Sequence, residues 1–428
     1  MIQPHQITPP MSAERAREIA DSFDLRALPA DFLANPFPVY AVLRETAPVR
    51  RMPDGSVFLT RHADLMAVYR DAAVFSSDKH VEYGPKYGVD SPLYEHHTTS
   101  LVFNDPPLHT RVRKLIMGAL TRRAIADMEP GLVALVDSLL DRIEAQGGGD
   151  LVEDFASAIP VEIIGNLLGV PHEDRGPLRG WSLAILGALE PVPTPEQHAL
   201  GNRSVTEMLD YLRGLVAERR KAPGDPERDV LTRLIQGEAG GDQLSEVELL
   251  QNCIFLLNAG HETTTNLIGN GLILLQEFPD QREQLLADLR AVGDASAKEQ
   301  VLTLAVDECL RYESSNQLGN RRALSPASVG GVALNEGTLV TLCIGAANRD
   351  PAVYDQPETL NLRREGNKHL AFGFGIHQCA GLSLARLEGR IAIGRFLDRF
   401  PRFELSETPV RGGRARFRGF LSAPFRTA

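Results

Sequence analysis

Phe372-Gly373-Phe374-Gly375-Ile376-His377-Gln378-Cys379-Ala380-Gly381 decides the reading of this chain, because it sets one cysteine between a glycine-rich turn and a helix-like run from Leu382 to Glu388. Gly373 and Gly375 can take backbone angles closed to other residues, so the loop can fold tightly and turn amide N–H groups toward the sulfur. Those donors, with the positive end of the following helix dipole, favour thiolate over thiol. A thiolate suits a metal ligand or a nucleophile. A lone cysteine in a turn is by default a small buried hydrophobe, and only the spacing around Cys379 argues otherwise.

That spacing resembles the cytochrome P-450 family, whose pattern Phe-Gly-x-Gly-x-His-x-Cys-x-Gly is met at Phe372, Gly373, Gly375, His377, Cys379 and Gly381. The resemblance implies that Cys379 is the axial ligand of a haem b iron, a thiolate that pushes electron density to favour O–O cleavage. It also implies that His377 bonds a haem propionate.

Working toward the N-terminus, Ser245 and Glu248 open a capping box ahead of a helical pattern that runs to Phe278, where Pro279 stops it. This helix carries Ala259-Gly260-His261-Glu262-Thr263-Thr264, similar to the family's dioxygen-activating motif. Small residues at 259 and 260 let a helix pass close over a flat cofactor. A threonine hydroxyl at 263 can bond the carbonyl of Ala259 or Gly260, as ordinary helical threonines also do. The resemblance makes Thr263 the proton relay and Glu262 the acid that feeds it, although adjacent helical side chains point about 100° apart. Position 265 is Thr, so the two-histidine zinc geometry of a metalloprotease is absent.

Glu308 and Arg311 stand three apart on a helical pattern, alone a routine surface pair. The resemblance makes them the family's Glu-x-x-Arg pair, completed by Arg364 as a buried structural network. His109, Arg113 and Arg321 match the family's propionate positions, and arginine suits a carboxylate because its planar fork binds both oxygens. Two departures from the family stand out: Asn361 where many relatives carry Asp, and Ser314 to Gln317 where a proline is common. Pocket walls are expected from the loop Val81 to Tyr94, from Phe255 and Asn258, from Asn316 to Gly319 including Gln317 and Leu318, and from Phe420 and Leu421.

The rest of the chain is compatible with this reading. Its 45 basic and 56 acidic residues give a net charge of -11, which argues against nucleic acid or an anionic membrane as partner. The four cysteines, at 253, 309, 343 and 379, show no CxxC spacing, so a zinc site or disulfide framework is not indicated. No apolar leader follows the start, where Pro9 and Pro10 precede a charged pattern, and a cytoplasmic location is expected. Asn258, His261 and Glu262 interrupt the long apolar run where charge is most costly in lipid, so no membrane anchor is expected. Sheet signals lie at both ends: a hairpin between Pro48 and Arg61, and runs at Val329 to Leu334 and Thr338 to Cys343. Between Val112 and Phe278 the pattern is mostly helical, broken by linkers such as Gly237 to Asp242.

The expected architecture is therefore the mainly α, single-domain P-450 fold with small peripheral sheets, residues 1–20 forming a tail and 21–428 the haem domain. The implied activity is insertion of one atom of dioxygen into a small lipophilic substrate. Electrons would derive from NAD(P)H through a ferredoxin or flavodoxin and its reductase, because no flavin domain follows the haem body. Three alternatives make different demands on these residues. A peroxide-driven enzyme or a non-catalytic haem sensor would not need the Glu262 and Thr263 pair, and a cysteine hydrolase would need a histidine base that the haem motif already claims.

Overall fold

The computed structural model describes residues 12–227, 229–237 and 243–427. Pro9, Pro10 and all but the first residue of the Gly237 to Asp242 linker lie outside them. The boundary drawn at residue 20 falls inside a helix, Ala13–Ser22, capped by the Ser12 side chain and burying Ala20.

Helices form most of the body, and one dominates. Glu246–Glu277 is 32 residues long, about 48 Å at 1.5 Å per residue. Its start is fixed by the reciprocal capping box of Ser245 and Glu248, and Phe278 ends it before Pro279. Twenty-two of its residues are buried, polar ones among them, because other helices cover it on nearly every side. Leu382–Arg399 and Ala158–Leu168 pack directly against it. No helix of the described residues is long and apolar enough to cross a membrane.

A five-stranded sheet flanks this body. Its strands are β1 (Val49–Arg51), β2 (Val57–Leu59), β3 (Phe75–Ser76), β4 (Leu318–Ala323) and β5 (Leu339–Cys343), in the spatial order β1-β2-β5-β4-β3. The expected hairpin is β1 and β2, with Val49 opposite Leu59. β2 runs parallel to β5, and β4 antiparallel to it. The run expected at Val329 to Leu334 is a two-stranded hairpin, Ala327–Val329 against Val332–Leu334, because Gly330 and Gly331 both take positive φ and turn the chain. The segment 81–94, expected as a loop, is largely helical: His80–Tyr87 ends at Gly88, and Ser91 caps Pro92–Thr99.

The buried charge network binds these parts together. Arg311 donates to both oxygens of Glu308 at 2.8 Å, and both side chains are fully buried. Arg364 adds a third contact at 3.0 Å, and the Asn361 backbone and Asn367 amide a fourth and fifth. Asn361 thus serves Glu308 through its backbone N–H, which asparagine supplies as well as aspartate would.

Candidate haem and oxygen site

The cysteine loop is built as its glycines require. Gly373 (φ 63°) and Gly375 (φ 74°) lie in the left-handed region, and a Cβ on Gly375 would stand 2.5 Å from the Tyr69 carbonyl oxygen. The Cys379 N–H donates to the Phe372 carbonyl at 2.8 Å, closing the loop just before helix Leu382–Arg399. Helix Ala295–Tyr312 anchors it from behind. Asp307 accepts from Arg386 at 2.7 Å and lies 3.4 Å from the His369 ring, while Glu308 accepts from Asn367. The Arg386 guanidinium in turn stacks 4.9 Å from the Phe372 ring centroid.

Cys379 lies deep in the protein but keeps residual exposure on one side, where it lines a cavity of about 340 Å³. Burial pushes its thiol above the ordinary value, against the Gly381 N–H and the cations Arg113 and Arg386, which pull it down. The loop N–H acts in the expected direction, favouring thiolate, while burial opposes it, and a metal at the sulfur would add to the stabilising charge.

The opposite wall is the long helix. Phe255, Asn258, Ala259, Gly260 and Thr263 all line the same cavity as Cys379. The Thr263 hydroxyl donates to the Ala259 carbonyl at 2.7 Å, one of the two acceptors expected. Gly260 serves a neighbour besides: a Cβ there would meet Ile164 at 3.0 Å, so its smallness also admits the helix Ala158–Leu168.

Four cationic or imidazole side chains converge on the rim. His109 and Arg113 share one face of helix Leu108–Ala119, and the His109 and His377 rings stand 4.2 Å apart. Neither His109 ring nitrogen makes a well-formed hydrogen bond within the protein, nor does Nε2 of His377. Arg321, on β4, is buried with its guanidinium 5.4 Å from the Tyr69 ring and makes no ion pair among the described residues. Burial, then Arg321, His109 and Arg113, push His377 down to about 2. Buried donors and cations without anions call for anionic groups here. The chemistry of this donor set fits a haem, whose propionates these residues would hold. Lys79, nearly fully buried and also lining the cavity, joins the cations; it lies outside any motif and so was not legible before folding.

Several expected residues lie elsewhere. Glu262 faces away from the cavity, with Arg414 donating to its carboxylate. It borders a separate pocket of about 20 Å³, room for about one water, together with His261, Asn266, Phe420 and Leu421. Burial pushes Glu262 up to about 7 despite Arg414. Phe420 and Leu421 thus belong to the Glu262 pocket, not to the large cavity. The chain between strands Val410–Arg411 and Phe420–Ser422 reaches the cavity with Arg416 and Phe417 instead, because the tip of this hairpin, not its second strand, points inward. Gln317 is also absent from the wall: its amide donates to the Ser314 carbonyl at 2.7 Å and its oxygen crowds Gly345, while Leu318 does line the cavity. From the segment near 81–94 the wall takes none of those residues but Lys79, His96 and His97 on either side, since Tyr83 and Tyr87 pack on the His97 ring.

Known proteins share this fold and much of this sequence. The solved structure of P450BioI in complex with an acyl carrier protein ligated to hexadec-9Z-enoic acid superposes with a TM-score of 0.85 at 31% identity, covering 93% of this chain and 100% of that one. The Biotin biosynthesis cytochrome P450 of Bacillus subtilis (strain 168) is 32% identical over 88% of this chain and 92% of its own. Cytochrome P450 107B1 of Saccharopolyspora erythraea is 41% identical over 71% of each. With the Cytochrome P450 family model matching residues 184–421 as well, the chain belongs to the cytochrome P450 family of monooxygenases.

Proposed function

We propose that this enzyme, working in the cytoplasm, inserts one atom of dioxygen into a small lipophilic substrate, with electrons drawn from NAD(P)H through a separate ferredoxin or flavodoxin. A haem b held by Cys379 would supply the oxygen chemistry. Ala259 and Gly260 leave room for it, and His109, Arg113, Arg321 and His377 would hold its propionates.

The observation that carries the reading is Thr263. Its hydroxyl spends its proton on the Ala259 carbonyl, so its lone pairs are left toward the cavity that Cys379 also lines. A hydroxyl so placed holds a water and passes protons without becoming charged. Glu262, one residue away, serves the solvent side. With its acid pushed up to about 7 it keeps a proton near neutral pH, beside a pocket with room for a water. Transfer to Thr263 then requires the carboxyl to leave Arg414 or to work through water. A peroxide-driven enzyme or a haem sensor would need neither group.

Electron delivery is assigned to the face beneath Cys379. Helices Arg122–Gln146 and Leu382–Arg399 run parallel, since Asp137 pairs with Arg395 and Asp141 with Arg399. Their N-terminal ends, exposed Arg122 and Arg123 on one and the Cys379 loop before the other, therefore lie at the same end. Arg111 and Lys114, on the helix Leu108–Ala119, add basic charge to the same candidate surface, although Arg111 is engaged by Glu248.

The test is product formed per NAD(P)H consumed in a reconstituted system. Thr263→Ala should keep haem uptake and substrate binding but lower this ratio by roughly tenfold or more, with hydrogen peroxide as the balance. Glu262→Gln should instead slow turnover at a preserved ratio. Equal coupling in wild type and Thr263→Ala would remove the relay role.

A further inference from the structure

Most of the large cavity is apolar, with Leu101, Phe103, Leu186, Leu189 and Phe417 among its walls. Apart from the buried acid Glu388, which burial pushes up to about 8, its ionisable cations fall into two sets. One is the rim of His109, Arg113, Arg321 and His377, with Lys79, already assigned to haem propionates. The other is Arg416, at the tip of the C-terminal hairpin.

Arg416 is held but not neutralised. One guanidinium nitrogen donates to the Leu318 carbonyl at 3.0 Å and the other to the Asn320 side chain, both neutral acceptors. Its buried Nε finds no partner within the protein, and it forms no ion pair among the described residues. The carboxylate that reaches this segment, Glu190, is committed to backbone: it accepts from the N–H groups of Ala415 at 2.8 Å and of Arg416 at 3.2 Å. Lys86 donates to the Glu190 carbonyl at 2.8 Å, and burial pushes it down to about 7.

The charge of Arg416 is felt at the substrate end of the cavity. It disfavours the protonated forms of Lys86 and His97 and opposes the rise of the Tyr83 phenol, all on the side of helices His80–Tyr87 and Pro92–Thr99. It also opposes the rise of the Tyr69 phenol, which stands beside Arg321. Nearby, His97 also borders the cavity, with both ring nitrogens enclosed and unpartnered.

We infer that Arg416 is a specificity-determining anchor for an anionic substrate end, so that the substrate is a lipophilic carboxylate. Its apolar body lies along Leu186, Leu189 and Phe417 toward Thr263, and its carboxylate meets the Arg416 guanidinium where that side chain lines the cavity. This places oxidation on the chain away from the carboxylate. The inference rests on the monooxygenase reading for its chemistry but not for its binding.

Isothermal calorimetry on the haem-loaded protein separates the two, with dodecanoate and methyl dodecanoate as probes. A hydrogen-bonded charge pair is lost in the ester, so wild type should bind the acid roughly ten- to a hundredfold more tightly. Arg416→Gln should erase that preference by weakening the acid alone, and Arg416→Lys should keep part of it. An ester bound as tightly as the acid by wild type, or a preference surviving in Arg416→Gln, overturns the anchor. Wild type that binds neither probe also overturns it. The carbon monoxide spectrum is read separately: acid preference without a thiolate-type band would refute the monooxygenase reading and leave the anchor standing.

Discussion

Replacing Glu308 with Gln removes one charge from the most buried ionic cluster of the protein. Wild-type Glu308 accepts five donors, from Arg311 Nε and Nη2, Arg364 Nε, the Asn361 backbone and the Asn367 amide, at 2.8 to 3.2 Å. Glutamine offers a single acceptor oxygen, and its NH2 would point at groups that are themselves donors. Arg311, with 0% of its side chain exposed, would then keep a full charge with only the carbonyls of Asn348, Pro357 and Thr359 around it. Breaking a buried pair from one side costs about 3–5 kcal/mol, a large part of an ordinary domain's 5–15 kcal/mol. Arg364→Met is the control. It leaves the two-pronged Arg311–Glu308 contact intact and removes one charged hydrogen bond to Glu308, about 2 kcal/mol, with the more exposed bonds of Arg364 to the Asp355, Gln356 and Thr359 carbonyls. Urea unfolding followed by far-UV circular dichroism measures both, and haem content after purification should follow the same order. A Glu308→Gln cost no greater than that of Arg364→Met would refute the idea that this cluster holds the cysteine loop in place.

Two further outcomes follow from other residues. Glu388 is buried, borders the haem cavity, and is pushed up to about 8 by burial alone. Unfolding releases its proton once pH exceeds its ordinary value near 4.5, so stability falls as pH rises from there to about 8, by at most about 5 kcal/mol. Glu388→Gln should flatten that part of a pH series of urea midpoints; an unchanged slope would show that Glu388 is ionised in the fold. At the docking face, reversing Arg122 and Arg123 to Glu together should slow electron transfer from an acidic ferredoxin far more at low salt than at high salt. An effect independent of salt, or none, would take these arginines out of the docking site.

The parts legible in the sequence were those set by local chemistry. The capping box at Ser245 and Glu248, the hairpin turn after Arg51 and the left-handed glycines of the cysteine loop are short-range requirements, and each stands where its residues implied. Glu308, Arg311 and Arg364 came together because the family pattern carried a long-range contact that spacing alone does not contain. What was not legible depended on side-chain direction. Gln317 sits next to a true wall residue, Leu318, yet its amide turns to the Ser314 carbonyl. Glu262 is adjacent to Thr263 in sequence but a third of a turn away on the helix, and so faces Arg414 and another pocket. Arg416 and Lys79 carry no motif, and only the folded hairpin tip and the packing before His80 reveal them.

The central claim is that Cys379, and no other cysteine, holds the iron. Cys253, Cys309 and Cys343 are fully enclosed, each with its thiol pushed up to about 12 by burial, whereas Cys379 opens on the haem cavity. The direct measurement is the difference spectrum of the reduced protein with carbon monoxide, for wild type and Cys379→His. The account predicts the strongly red-shifted Soret band of thiolate ligation in wild type and its loss in Cys379→His, with haem still bound. A band that survives in Cys379→His, or that is absent from haem-loaded wild type, would contradict it.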